Sequence, residues 1–404
     1  MGKHAEIMSV TFKQAPDINT AIQLLHAICM KKPVYSCRIV NKPLALYGAG
    51  KLGRMAKEYF QTIGIPVAFV VDAAAEQYLD DPFWKDTVVV NPQNVSTEDK
   101  QNVLLAVCVA TVPFTTLQSF LNSNGWLDFV PFYDIAEAYR DLHPLGNGWL
   151  SGPLDAEEIA HVEAALSGWH DSTSRAHHLQ FIAWHYLREE WFFDGAPVTT
   201  NDRYFIPQVV SVLNHNEVFV DLGAHHGATT ARFLELVNMQ FAAIWLVEPD
   251  AYNIHSLQEK LKSRLAGIES RKIHVLSCAV SDLPCDKPFF NGLGYASQLT
   301  DLGQTNVGVT TIDELTVVKP TFIKMHLEGE EYNALKGGVN TIRNNRPIIV
   351  LTLYHNRLGI WQIPDFLMST LADYVFYMRQ HSWGDTGSVM YAIPKERDIS
   401  APKT

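Results

Sequence analysis

A chain of 404 residues is too long for one ordinary hydrophobic core and suits two domains. Hydrophobic residues at 47% and charged residues at 19% are those of a globular protein, and a net charge of −11 argues against a nucleic-acid partner, which would want a basic face. Five scattered cysteines (Cys29, Cys37, Cys108, Cys278, Cys285) with no CxxC pair fit reduced thiols in the cytoplasm. No run of about 18 apolar residues is present to span a bilayer, and no apolar leader opens the chain.

Residues 1–40 read as a helical lead, with Ile18, Ala21, Ile22, Leu24, Leu25 and Ile28 apolar. Pro43–Tyr47 is a predicted strand, followed by Gly48-Ala-Gly-Lys-Leu-Gly53 and a helix through Phe60. Ile65–Val71 is the next strand and ends at Asp72; Val88–Val90 and Val103–Val109 add two more. Residues 41–150 are therefore expected to form a Rossmann-like domain that binds a nucleotide or nucleotide sugar. Gly48-x-Gly50-x-x-Gly53 with Asp72 matches the dinucleotide fingerprint. On that reading Gly48, Gly50, Lys51, Gly53 and Asp72 would seat part of the substrate at the helix N-terminus. The alternative is a glycine turn that serves packing or dimerisation. Residues 151–203 read as bridging helices (Ala156–Leu166, Phe181–Leu187), residues 204–394 as a second α/β domain, and 395–404 as a tail.

The second α/β domain opens with Glu217-Val-Phe-Val-Asp-Leu-Gly-Ala-His-His-Gly227 and a helix over 228–237. The next strand, Ala243–Val247, ends in Glu248-Pro249. The spacing Asp221-x-Gly223-x-x-x-Gly227 is not GxGxxG. An acid at the end of the first strand would repel a pyrophosphate but could face a cationic ligand, which favours S-adenosylmethionine. Glu248 is placed to accept ribose hydroxyls. A third strand, Ile273–Val280, brings Cys278, Ala279 and Ser281 near an adenine. The expected donor site is Asp221, Gly223, Ala224, His225, Gly227, Glu248, Pro249, Cys278, Ala279 and Ser281. The fold class is α/β, two doubly wound Rossmann-like domains joined by bridging helices.

Four further motifs follow in order: Thr310-Thr-Ile-Asp-Glu-Leu315, Phe322-Ile-Lys-Met-His-Leu-Glu-Gly-Glu-Glu331, Ala334-Leu-Lys-Gly-Gly338 and Arg346-Pro-Ile-Ile-Val350. Over about residues 204–394 the chain resembles the FkbM family of S-adenosylmethionine-dependent methyltransferases. That resemblance implies a class I methyltransferase fold for the C-terminal domain and O-methyl transfer. The front half, with Tyr-Gly-Ala-Gly-Lys-Leu-Gly, is similar to the N-terminal domain of the two-domain members and to nucleotide-sugar-binding domains of sugar acyltransferases. Two positions depart from the family pattern. His225 stands where Asn is usual, and His326 replaces the Asp at the end of the fourth strand, while Lys324, Glu328, Gly329 and Glu331 match.

Strand ends then give the candidate catalytic residues: Lys324, His326 and Glu328 on the fourth strand, His355 after the fifth, and His381 after a later strand, Tyr374–Met378. A histidine could take the proton of an alcohol acceptor. Alternatively, a divalent metal held by His326, Glu328, His355 or Asn356 could acidify the hydroxyl. The expected function is O-methylation of a sugar hydroxyl on a nucleotide sugar or surface-glycan precursor in polysaccharide biosynthesis, by a cytoplasmic protein whose homo-oligomeric state is open. The competing readings are a two-domain binding protein that has lost catalysis, a methyltransferase of a non-sugar natural product, and a nicotinamide-dependent oxidoreductase.

Overall fold

Short β-branched and aliphatic runs build one parallel and one largely parallel sheet, and helices between them carry the chain from one to the other. The computed structural model describes residues 6–397 apart from 263, 265–268, 316–318 and 385, so the first five residues of the lead and most of the tail lie outside the described residues. The lead contains a strand as well as the expected helix: β1 (Met8–Phe12), then α1 (Ile18–Met30), capped by the Asp17 carboxylate on the Thr20 N–H at 2.8 Å.

The front sheet contains β2 (Leu44–Tyr47), β3 (Val67–Val71), β4 (Val89–Val90), β5 (Leu104–Val107) and β6 (Phe129–Pro131), in the all-parallel order β4-β3-β2-β5-β6. The glycine loop leads into α2 (Lys51–Thr62). Next come α3 (Ala156–Gly168), opened by an Asp155/Glu158 capping box, and α4 (Ser172–Leu187). Helix α4 is buried on nearly every side, which explains its lack of a polar stripe. Strand β7 (Glu189–Phe193) follows and pairs in parallel with β1. The pairing is remote in sequence, so no local pattern announced β1.

The C-terminal unit contains β8 (Val218–Leu222), α5 (Ala228–Leu236), β9 (Ala243–Val247), α6 (Ala251–Lys262) and β10 (Ile273–Leu276). A small layer follows: β11 (Ala279–Val280), β12 (Cys285–Phe290), β13 (Gln298–Leu299) and β14 (Thr305–Thr310). The chain then returns through β15 (Phe322–Met325), α7 (Glu331–Lys336), α8 (Val339–Asn345), β16 (Ile348–Thr352), β17 (Tyr374–Gln380) and β18 (Ser388–Pro394). The main sheet runs β10-β9-β8-β15-β16-β18-β17, with β18 antiparallel to both neighbours. This is the class I methyltransferase order, and its switch point lies between β8 and β15.

One expectation needs correcting. The predicted strand Ile273–Val280 is two strands in two sheets: β10 belongs to the main sheet and β11 to the small layer. Helices α7 and α8 are separated at Gly337–Gly338, where the chain passes other backbone closely. A Cβ on Gly337 would stand 2.4 Å from the Ser281 carbonyl oxygen. One continuous core joins α1 (Ala21, Leu25), α4 (Leu179, Ile182) and the C-terminal sheet (Val220, Met325, Leu351). Among the described residues no helix is long and apolar enough to cross a membrane.

Candidate active site

The site forms where β8 and β15 part. Gly223 follows β8 with φ +75°, and a Cβ there would lie 2.0 Å from the carbonyl oxygen of His326 on the neighbouring strand. The glycine thus lets the two strand ends approach. Asp221 and Lys324 face each other in register across β8 and β15. They form a fully buried ion pair at 2.9 Å, and the Lys324 ammonium also donates to the Gly223 carbonyl at 2.7 Å. Burial works against the charged lysine, but Asp221 outweighs it and holds the ammonium above its ordinary pKa.

A cleft with about 850 Å³ of empty space, including its open mouth, lies over these strand ends. Gly223, Ala224, His225, Glu248, Pro249, Cys278 and Ala279 all line it, together with Lys324, His326 and Glu328. Glu248 is nearly buried; its Oε2 accepts the His225 N–H at 2.8 Å and its Oε1 the Asp250 N–H at 3.1 Å. Burial raises its carboxyl above the usual range, against these hydrogen bonds. Burial also takes the His225 imidazole down to about 3, helped by the neighbouring His226.

Three of the expected donor residues do not face the cleft. The Asp221 carboxylate lies beneath the loop, between Lys324 and the Thr230 hydroxyl, so the cation it meets is the protein's own. Gly227 packs towards Leu257 and Leu261 of α6. Ser281 is buried and donates to Glu330 at 2.6 Å. Sequence reasoning missed Asn253, Phe289, Gly294, Ser297, Gln298 and Leu299, which complete the cleft. Most of them belong to the small layer, and no motif marked it.

A second, strongly polar cavity of about 560 Å³ opens beside the first and shares Gln298, Leu299, Glu328 and Glu330 with it. Its other walls include Arg140 and Asn147 from the segment after the front sheet, and Gly329, His355 and Asn356 from the C-terminal unit. Between the cavities stands a buried cluster. Glu328 has φ +50° and Gly329 φ +112°, a left-handed turn held by Glu331, whose carboxylate accepts the N–H groups of Leu327 and Gly329 at 2.9 and 3.0 Å. Glu331 also accepts from His355 Nδ1 at 2.8 Å and from the Thr352 hydroxyl at 2.7 Å. His326 Nδ1 meets the Tyr204 hydroxyl at 2.7 Å; its Nε2 lies 2.8 Å from Glu328 Oε1 and 3.2 Å from the Tyr354 hydroxyl.

Electrostatics divide the three catalytic candidates of this cluster. Burial opposes a charged His355, but the carboxylates of Glu328 and Glu331 overcome it and hold the imidazole protonated far above its ordinary value. Burial would raise both carboxyls, and the facing His355 instead keeps them far below their usual range. Burial lowers His326, only partly offset by Glu328, so it is neutral near pH 7. His381 is elsewhere: it is wedged between the Thr199 carbonyl and the Tyr391 hydroxyl at 2.8 and 2.6 Å and lines neither cavity.

The front loop also differs from expectation. Asp72 accepts the Ala49 N–H at 2.7 Å and the Ala74 N–H at 2.8 Å, so its carboxylate holds the loop rather than a ribose. A Cβ on Gly53 would stand 1.9 Å from the Gly48 carbonyl oxygen; that glycine serves helix packing. Gly50 and Lys51 are exposed, and Gly48, Gly50, Lys51, Gly53 and Asp72 line neither cavity.

A model of the methyltransferase FkbM domain matches residues 221–378, the stretch that supplies the end of β8, all of β15 and the residues that line the cleft. The C-terminal unit thus contains a stretch similar to the methyltransferase FkbM domain. The crystal structure of methyltransferase FkbM from Methylobacillus flagellatus KT shares the fold with a TM-score of 0.59 at 17% identity, over 93% of this chain and 98% of that one. The common architecture therefore includes the front sheet. A precorrin-6y C5,15-methyltransferase from Geobacter metallireducens GS-15 matches with a TM-score of 0.29 and 11% identity over 48% of this chain and 91% of that one. No curated protein matches this chain.

Proposed function

We propose that the protein transfers a methyl group from S-adenosylmethionine to a hydroxyl of a sugar-like acceptor. The observation that carries this reading is the pair of adjoining cavities, one mostly apolar and lined by a glycine turn and a buried acid, the other polar, with Glu328 in the wall between them.

The cleft fits the donor in both size and chemistry. Gly223 and Ala224 bring backbone close to the ligand, Glu248 retains lone pairs for ribose hydroxyls, and Cys278, Ala279 and Leu299 offer an apolar slot for adenine. When bound, the donor supplies a methyl group whose C–S bonding pair stays on sulfur as the C–O bond forms. Asp221 does not hold the donor directly. It neutralises Lys324, which anchors the Gly223 carbonyl and so fixes the loop.

The polar cavity fits an acceptor rich in hydroxyls. Arg140, Asn147, Gln298, Glu330 and Asn356 present charged and amide groups, the partners a carbohydrate uses. The front domain contributes through Arg140 and Asn147, not through its glycine loop. Positioning the hydroxyl in line with the methyl is the main task, and orientation of this kind can supply about 7–11 kcal/mol. The departing proton faces the wall of His326, Glu328 and His355. His355 is paired with two carboxylates and cannot serve as base.

The test is to incubate the purified protein with S-adenosylmethionine and a panel of nucleotide sugars and free sugar acids, and to read product mass for a gain of one methyl. Calorimetry of the donor alone runs beside it. Absence of donor binding would remove the reading; donor binding with methyl transfer only to apolar phenols would remove the sugar assignment.

A further inference from the structure

We infer that His326, Glu328 and His355 form a binding site for one divalent cation, which meets the acceptor hydroxyl at the wall between the two cavities. The proposal deepens the methyl-transfer reading and rests on it for the identity of the hydroxyl, but not for the cation itself.

Three ligand atoms from these residues, two imidazole nitrogens and one carboxylate oxygen, lie within 4.8 Å of one another. Glu328 Oε1 is central, 2.8 Å from His326 Nε2 and 3.4 Å from His355 Nε2. Such separations suit donors that share one ion with bonds of about 2.0–2.2 Å. Two histidines and one carboxylate on one side of an ion, with open positions opposite, is an established metal-binding set.

A second observation is independent of the spacing. Glu328 Oε1 and His355 Nε2 are buried side-chain atoms without a hydrogen-bonded partner, although they face each other. Their side chains are only 5% and 3% exposed. Glu331 receives His355 Nδ1, which aims Nε2 at Glu328 Oε1. One positive charge already sits between the carboxylates as the proton on His355; a divalent cation would displace that proton and take the Nε2 lone pair together with the Glu328 oxygen.

The surroundings are those of metal ligands. A ligating histidine usually gives its other ring N–H to a fixed acceptor. His355 Nδ1 has Glu331, and His326 Nδ1 has the Tyr204 hydroxyl, which can accept as well as donate. Glu331 in turn is fixed by two backbone N–H groups and Thr352. With two imidazoles in the set, the preference moves from Mg²⁺ towards Mn²⁺ and later metals. His326 and Glu328 line the donor cleft, Glu328 and His355 the polar cavity, so the free coordination positions open where hydroxyl and methyl meet. There the cation would accept the hydroxyl oxygen and release its proton to water in the polar cavity.

The test uses the full chain and Mn²⁺ as probe. Protein stripped with chelator is dialysed against Mn²⁺, and bound ion is counted by metal analysis and followed by its paramagnetic resonance spectrum. One ion per chain is expected. Glu328→Gln and His355→Phe should abolish it, Glu331→Gln should weaken it about 10–100-fold, and His326→Asp, which keeps a ligand, should retain it. Circular dichroism and thermal unfolding of each variant check that the fold is intact. An intact protein that binds donor but takes up no Mn²⁺ overturns the cation site, as does stoichiometric Mn²⁺ that survives in both Glu328→Gln and His355→Phe. Mn²⁺ binding without any donor binding leaves the cation site standing and removes the methyl-transfer reading instead.

Discussion

In both large sheets an acid at the tip of the second strand holds the glycine turn after the first. Asp72 accepts the Ala49 N–H at the front, and Glu248 accepts the His225 N–H in the C-terminal unit. What differs is the space outside the strand ends. Over the C-terminal sheet the small layer leaves a cleft bounded by Phe289 and Leu299. Over the front sheet Trp184, Arg188 and Trp383 narrow the space to about 410 Å³, and the Trp383 backbone N–H donates to the Ala110 carbonyl at 2.8 Å. The N-terminus of the helix Phe114–Ser123, an anion seat in nucleotide-binding folds, is filled by Glu190. Its carboxylate accepts the N–H groups of Phe114 and Thr115 at 2.7 and 2.9 Å. A loop sequence that suits a nucleotide does not make a nucleotide site when the chain's own carboxylates and indoles take the ligand's place.

The largest effects should come from the two buried ion pairs, one in each half. Lys324→Met leaves Asp221 buried and unpaired, and Arg188→Met does the same to Asp134, which Arg188 binds at 2.7 Å. Each should cost about 3–5 kcal/mol of stability by urea unfolding. Donor binding separates them. Lys324→Met should lose it, because the Gly223 loop loses its anchor, whereas folded Arg188→Met should keep the parent affinity. Equal loss in both would mean that the two halves do not divide the work as described.

The matched acids come next. Glu248→Ala should weaken donor binding by about 1.5–3 kcal/mol, the value of a hydrogen bond to a charged group. Asp72→Ala should leave donor affinity unchanged and cost about 1 kcal/mol of stability, from the loop N–H groups it releases. Calorimetry and unfolding on both variants would reveal a donor role for Asp72 or its absence for Glu248.

Much of this was legible in the sequence because the signals are local. The strand-turn-helix at Val218–Leu236 and the acid at Glu248 are readable from spacing alone, and the motif around Lys324 to Glu331 carries the family resemblance. The partners of those residues were not legible. That Asp221 faces Lys324 rather than a ligand follows from strand register, and that Asp72 is consumed by its own loop follows from a turn geometry no pattern displays. Tyr204 and Arg140 reach the site from outside the motifs, Tyr204 from 122 residues away along the chain from His326. Among the described residues β1 pairs with β7 alone, a strand that follows the whole front sheet in sequence.

A smaller effect tests the filled anion seat. Burial raises the Glu190 carboxyl above its ordinary value despite its hydrogen bonds from Phe114 and Thr115. The folded protein therefore holds a proton there that the unfolded chain, with a pKa of about 4.3, releases sooner. The stabilisation is full below that value and is lost as pH rises through the folded pKa. Unfolding free energies of the parent should fall relative to Glu190→Gln between about pH 4 and neutrality, because the amide cannot ionise. A parent that gains on the variant as pH rises would show that the seat stabilises the carboxylate and would welcome an anion.

The smallest expected effect is at Gly50, and it bears most directly on the front loop. Gly50 is the residue before α2, at φ −71°, and a Cβ built there meets nothing within 4 Å. Gly50→Ala therefore introduces no clash. Alanine is a poorer helix cap than glycine, while it also removes conformational freedom from the unfolded chain, worth about 0.4–1 kcal/mol in the opposite direction. The two roughly cancel, so stability should change by less than about 0.5 kcal/mol. If the loop only packs, methyl-transfer kinetics should be the parent's in both kcat and KM. If it seats part of the acceptor, the new methyl group would occupy the space the ligand's phosphate needs next to the helix. Acceptor KM would then rise while donor affinity stayed fixed. That outcome would mean Asp72 yields its loop N–H groups when the acceptor arrives, and the contrast between an open and a filled Rossmann sheet would become one between two binding sites.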